Sequence, residues 1–273
     1  MSFDSREQSL AAGAPVRLYE FRRGVWRWLY NSSDRNLTVG PQVYLALPGG
    51  ISDGGIRQSG VARQDDFVIT APADLEVAQL FRNSRPSAEI ALIVSDMHMG
   101  DGQVVARYTG TIASVRWPTL DSCRITCQDI DASMERPGLV DTYSRTCTTT
   151  LYSKWCGVDR NLHRVESVID AMAGRTITCA GIDAYPDGRF GGGYVEWPIG
   201  NGEFDTRTIE THAGEVLTLM GGTFGLAPGM AVRVYPGCDF LPGTCNDVYD
   251  NLPNFRGTNA MDGVSPFDGD QVF

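Results

Sequence analysis

Four cysteines, arranged as two pairs, are the residues of this 273-residue chain best suited to chemistry. Eight residues lie between Cys147 and Cys156, six between Cys238 and Cys245, and 81 separate the two pairs. Thiolates are soft donors, and four that converge can hold an iron–sulfur cluster or a structural zinc ion. Gly, Pro, Ser, Asp or Asn flank both pairs, so each pair is expected on a turn from which sulfur can reach a shared centre. Two local disulfides, or four thiols without metal, are the rival readings. Neither spacing matches the tight C-x-x-C of zinc ribbons, and Cys₄ sets serve both metals, so spacing leaves iron and zinc open. In either case ligands far apart in sequence would close a long loop, and metal binding would become folding energy.

Other chemistry-bearing groups read as ordinary. Cys123 and Cys127 share one face of a strand pattern but stand about 13 Å apart at ~3.3 Å per residue, too far to share an ion. They and Cys179 are expected to be core thiols. His98, His163 and His212 are the only histidines. No G-x-S-x-G accompanies them, so each reads as a surface or hairpin residue, with His163 an alternative ligand. Asp65-Asp66 fits a strand start or turn. Asp262, Asp268 and Asp270 lack the glycine and spacing of a calcium loop. Trp155, Trp197 and Phe255 are candidates to shield a metal site, or simply core aromatics.

The elements that must position the thiols read as strands. Val16–Phe21 and Val25–Tyr30 bracket Arg22-Arg23-Gly24 as a hairpin. Extended segments follow at Gly40–Leu47 and Asp66–Ala71, then Ala88–Asp96, Gln103–Val115 and Ser122–Ile130. Ala73–Asn83 is the best helix, with Pro72 at its first position and Asp74 and Glu76 near its N-terminus. In the second half Arg164–Ala173 and Arg175–Cys179 are expected to form a hairpin, although a short helix also fits the first of them. Gly188–Gly193 is a turn before a strand and matches no phosphate-binding pattern. Ile209–His212 and Glu215–Leu219 form a further hairpin, and Met230–Tyr235 delivers Cys238. These segments predict a mainly β chain of two β-rich domains, residues 1–143 and 144–257, with a polar tail at 258–273.

Composition narrows the function classes. Hydrophobic residues make up 42% and charged residues 21%, the balance of a globular protein. No apolar run is long enough to span a bilayer, so no stable membrane insertion is expected. The polar, acidic start argues against a signal peptide and predicts synthesis in a reducing cytoplasm, where disulfides are disfavoured. With seven cysteines, an odd number, the two-disulfide reading weakens further. The net charge is −10, and 22 of the 23 basic residues are arginine, Lys154 being the exception. Nucleic-acid binding is disfavoured, whereas a conduit through which DNA slides without sticking is compatible.

The sequence around the cysteines resembles a known family. T-L-Y-S-x-x-C-G-V-D at 150–159, G-G-x-x-x-W-P-x-G-N-G-E at 192–203, P-G-C-D-x-x-x-x-T-C at 236–245 and N-L-P-N-F-R-G at 251–257 are similar to the C-terminal region of siphophage and gene-transfer-agent baseplate hub, or tail-tip, proteins. A-P-A-D-L-x-x-A-x-L-F at 71–81 and R-Y-T-G-T-I-A-S-V at 107–115 extend the likeness into the first half. After Gly257 the chain departs from the Pro- and His-containing end usual in that family.

The resemblance implies a first domain of hub-type β-barrel fold and a second that carries a four-cysteine iron–sulfur site. Cys147, Cys156, Cys238 and Cys245 would be its ligands, with a 4Fe–4S cluster as first expectation and zinc as the alternative. It further implies a structural, non-enzymatic virion protein that joins the tail tube to the receptor-binding apparatus. Its expected partners are copies of itself in a homotrimeric ring, a distal tail or tail tube protein, and a central fibre or receptor-binding protein, with DNA only passing through the channel. A metal-dependent cell-wall hydrolase of the tail and a free-standing iron–sulfur electron carrier are the competing classes.

Overall fold

The computed structural model describes residues 3–9, 13–57, 66–100, 102–130 and 144–258. The chain divides into two compact units, residues 1–136 and 137–273. The 258–273 tail and Asp262, Asp268 and Asp270 fall almost wholly outside the described residues, as does Asp65; Asp66 is exposed just before a strand.

In the first unit the elements are α1 (Phe3–Glu7), β1 (Pro15–Arg23), β2 (Trp26–Asn31), β3 (Leu37–Val39), β4 (Gln42–Ala46), β5 (Ser52–Asp53), β6 (Phe67–Pro72), α2 (Glu76–Gln79), β7 (Ala91–His98), β8 (Val104–Arg116) and β9 (Ser122–Asp129). The strands make one nine-stranded sheet in the order β3-β4-β2-β1-β7-β8-β9-β6-β5. Period-two alternation explains it: along β9, Cys123, Ile125 and Cys127 are fully buried while the residues between them are not. The first hairpin turns at Gly24-Val25, one residue later than the sequence suggests, because Gly24 alone there relieves the positive φ of 53°.

Two expectations for this unit are corrected. The sheet is not a closed barrel among the described residues. Its edges are the three-residue β3 and the two-residue β5, too short to pair and close a cylinder. The Ala73–Asn83 helix shrinks to the single turn α2. Pro72 ends β6 instead of opening a helix, and Leu75 at the N-cap offers no side-chain acceptor. The turn survives because Leu75, Val77 and Ala78 are buried against the sheet.

The second unit contains α3 (Arg160–His163), β10 (Val165–Ala173), β11 (Thr176–Cys179), β12 (Tyr194–Gly200), β13 (Glu203–Ala213), β14 (Val216–Leu219), β15 (Ala231–Tyr235) and α4 (Pro242–Asp247). Its six strands close as β10-β11-β14-β13-β12-β15, and this is where the barrel lies. Bulges at Ile169/Ala171, Pro198/Gly200 and Ile209/Thr211 bend the strands enough to close so small a cylinder. Inward-facing Ile169, Ile177, Cys179, Val195, Trp197, Ile209, Leu217, Leu219, Val232 and Val234 fill it. Val165–Ala173 is thus strand, as the hairpin reading expects, because alternate residues must enter this core.

Candidate metal centre

Two segments at one end of the six-stranded barrel carry the four cysteines. One precedes β10 and the other follows β15, and β10 pairs with β15, so the ladder brings together residues some ninety positions apart. Cys147, Cys156, Cys238 and Cys245 line a single pocket with Leu151, Val158, Phe240, Leu241, Asn251 and Phe255. All seven cysteines are free thiols, which removes the two-disulfide reading. Three of the four sit on loops and turns as expected, but Cys245 lies inside α4.

Backbone contacts hold the two segments in place. The Cys147 amide donates to the Phe240 carbonyl at 2.8 Å, and the Tyr152 hydroxyl to the Pro236 carbonyl at 3.0 Å. Phe240 adopts φ 63°, which turns its amide toward Cys238 Sγ at 3.3 Å. Asp239 accepts from the Leu241 amide and the Thr244 hydroxyl, at 2.9 and 2.8 Å, and so fastens the start of α4 beside Pro242. Buried Asn251 donates to the Cys156 carbonyl at 2.7 Å and stands 3.6 Å from its sulfur, while Asn254 donates to Asn251 at 2.7 Å.

Burial raises the thiol pKa of Cys238 and Cys245 above the ordinary value, and the neighbouring thiols raise them further because adjacent thiolates repel. A metal would reverse that preference, since ligand thiols bind as thiolates. Amides of Phe240 and Asn251 aimed at sulfur, within an apolar lining, are the surroundings that tune thiolate-bound metals. Among the described residues, however, no three His, Cys, Asp or Glu side chains are placed to hold a metal ion. A tetrahedral zinc with Zn–S of about 2.3 Å would draw its sulfurs to roughly 3.8 Å from one another.

Several sequence expectations are revised around the pocket. His163 does not line it and packs edge-on against Tyr249, 5.0 Å between ring centres. Trp155 is 63% exposed beneath Arg256, and Trp197 is in the barrel core, so of the three aromatics only Phe255 shields the thiols. His98 and His212 are buried rather than superficial: His98 packs on Phe3 and stands 3.0 Å from Glu7, and His212 packs on Phe190. Cys123, Cys127 and Cys179 are buried in the two cores. Burial, with a smaller contribution from Asp170, pushes the Cys179 thiol up to about 12, which leaves it unreactive.

Comparison with known proteins now adds to this geometry. Residues 20–159, just over half of the chain, match the family of the baseplate hub protein, N-terminal attachment domain. The chain belongs to this baseplate hub family. Residues 188–264 match a second family, phage conserved hypothetical protein BR0599. An uncharacterized protein of Xylella fastidiosa (strain 9a5c) is 28% identical over 180 residues, 60% of this chain and 37% of that relative. The chain thus spans little more than a third of the curated relative it matches. Among solved structures, a chain in the virion of a native gene transfer agent particle superposes with a TM-score of 0.79 at 17% identity, covering 100% of this chain and 99% of that one. The hub protein is therefore a structural, virion-associated tail or baseplate component with two β-rich domains.

Sequence reasoning missed the groups that fasten this hub protein's cysteine segments to its barrel. Tyr152 sits at the centre of Tyr194, Tyr235 and Tyr249, with ring centres 6.2–6.4 Å from its own. Glu196 on β12 is buried and meets Arg160 and Arg233, both at 3.3 Å, and the Tyr235 hydroxyl at 3.0 Å. Only W-P-x-G-N-G-E pointed near them, through the strand that supplies Glu196. Asn251 is the buried polar side chain that holds the Cys156 turn in place. Asn251→Ala should lower the stability of the second unit by about 1–3 kcal/mol, because the Cys156 carbonyl and Asn254 lose a buried partner. Denaturant unfolding of the variant against wild type checks this; an unchanged midpoint would show that the bond is not needed.

Proposed function

We propose that the chain is a tail-tip hub subunit that joins the tail tube to the receptor-binding apparatus, with a four-thiolate iron–sulfur site as the internal staple of its second unit. One observation supports the staple most directly: two sequence-distant segments deliver four free, partly or fully buried thiols to a single apolar pocket. Iron–sulfur is preferred to zinc because the cysteine-bearing segments resemble those of the tail-tip family, not because of their spacing. When bound, the cluster would supply cross-linking and folding energy. The chain's own part is to hold the thiols, exclude water with Leu151, Val158 and Phe255, and turn amides toward sulfur.

The hub reading is supported by the attachment-domain match and by the fold shared with a gene-transfer-agent virion chain. Three copies would form a closed ring around the DNA channel, contacting a distal tail or tube protein on one side and a central fibre protein on the other. An acidic chain suits a channel wall that must not retain DNA. The subunit has no hydrolytic role in this reading. A reconstruction of the tail tip should show the chain as a three-membered ring below the tube; a position only on peripheral fibres would overturn it. Purified protein should also leave peptidoglycan intact in zymograms, and clearing abolished by an Asp or Glu substitution would move the assignment to a cell-wall hydrolase.

A further inference from the structure

Beside the thiol pocket the second unit reverses its charge. Residues 137–273 hold 17 acidic and nine basic residues, but segments 144–158 and 251–258 contain Arg145, Lys154 and Arg256 and no carboxylate. The fold brings these positions together. The Thr258 amide donates to the Ser144 carbonyl at 2.8 Å, and a Cβ on Gly257 would come within 2.7 Å of the Arg145 carbonyl oxygen, so residues 256–258 run beside 144 and 145. The Arg256 guanidinium lies over the Trp155 ring at 4.8 Å, and the Lys154 ammonium approaches the same ring at 5.9 Å.

The counter-charge is not supplied among the described residues. Neither Arg145 nor Lys154 has a carboxylate partner there. The flanking acids do not provide one: Asp159 caps α3, accepting from the Asn161 amide at 2.9 Å, and Asp250 makes no ion pair among the described residues. Trp155, between the cations, leaves most of its indole in water. Burying that ring against an apolar side chain would be favourable. Cations around an exposed indole therefore suit an acidic segment that also carries apolar side chains.

The chain holds such a segment itself. Residues 259–273, N-A-M-D-G-V-S-P-F-D-G-D-Q-V-F, contain three aspartates, no basic residue, and Met261, Val264, Phe267, Val272 and Phe273. They begin inside the patch, since Thr258 is two residues past Arg256. Asp262 comes four residues later, a reach of up to about 14 Å. So short a tether gives an effective concentration on the order of millimolar, which an acidic segment of another protein matches only at that concentration. We infer that residues 259–273 dock on the patch of Arg145, Lys154, Trp155 and Arg256, with their aspartates set against the cations and an apolar side chain against the indole. Nucleic acid also seeks cations and indoles, but three cations in so acidic a unit make a weak phosphate site. The inference concerns this surface alone and holds whether or not the thiols bind metal.

The test compares the full chain with one ended at Thr258 and with a full-length variant carrying Asp262→Asn, Asp268→Asn and Asp270→Asn. Acrylamide quenching of Trp155 is taken as the difference between each protein and its Trp155→Phe counterpart. It should rise in both altered proteins, and in the full chain it should rise with salt. A synthetic 259–273 peptide should bind the shortened chain and lose about tenfold in affinity when Lys154→Glu reverses one charge. It should bind the full chain at least about tenfold more weakly, because that patch is already filled. The triple Asn variant keeps the test decisive if the shortened chain fails to fold. Trp155 quenching unchanged in the triple variant, or a peptide that binds full and shortened chains alike, would overturn the inference. So would protection of Trp155 that grows with protein concentration, which would make another copy the occupant. A shortened chain that binds a single-stranded oligonucleotide and not the peptide would overturn it in favour of nucleic acid.

Discussion

Serine at any one of positions 147, 156, 238 or 245 is expected to abolish metal retention and to unfold the second unit at lower temperature, while Cys123→Ser and Cys179→Ser keep full metal. The four thiols share one pocket, whereas Cys123 and Cys179 are buried in two separate cores. A thiolate site loses closure when one ligand is missing, and about 10 kcal/mol of metal-binding free energy is typical of a small metal-folded unit. Three thiols and a hydroxyl would retain only a fraction of it. Iron, zinc and acid-labile sulfide measured on protein purified without oxygen decide the chemistry. Iron and sulfide together support the cluster, zinc alone supports the alternative, and full metal in any quartet variant sinks the shared site.

Gly237→Ala should be the most disruptive small substitution near the thiols. A Cβ at Gly237 would fall on the Gly191 carbonyl oxygen and come within 2.6 Å of the Gly193 nitrogen. Reciprocally, a Cβ on Gly193 would fall on the Tyr235 carbonyl oxygen. Both obstacles are backbone, so no rotamer change relieves them. The two chains must separate, and Cys238 moves with its neighbour. We expect a loss of about 3 kcal/mol and reduced metal content. For a unit of this size the thermal midpoint falls by roughly 10 °C. Gly243→Ala, on α4 with nothing within 4 Å of its would-be Cβ, should leave the midpoint nearly unchanged. Equal midpoints for the two variants would refute the close-approach argument.

Much of this molecule was legible in the order of its residues. Because half-buried strands impose period two on the sequence itself, alternation of apolar and polar side chains located β7, β8, β9, the β10–β11 hairpin and β14 to within a few residues, while β13 starts six residues before the expected Ile209. The thiols of Cys147, Cys156, Cys238 and Cys245 were conspicuous by type and turn context alone. Local signals misled where tertiary contacts dominate. Pro72 and the acidic residues after it promise a helix, yet burial of Leu75, Val77 and Ala78 needs only one turn of it. His98 and His212 have no sequence mark of burial, since it is Phe3, Glu7 and Phe190, arriving from elsewhere in the chain, that cover them.

By itself, then, the sequence determined which segments are strands, which thiols are available, and that the surface is acidic, since these follow from side-chain chemistry and its spacing. Tertiary structure alone decided which unit closes into a barrel, because closure depends on bulges and edge lengths that only appear once strands pair. It also decided that the two cysteine pairs meet, as the pairing of β10 with β15 carries both to one end of the barrel. For the same reason the tyrosines around Tyr152 and the Glu196 carboxylate, scattered over a hundred residues of sequence, become a single support only when the cylinder is complete.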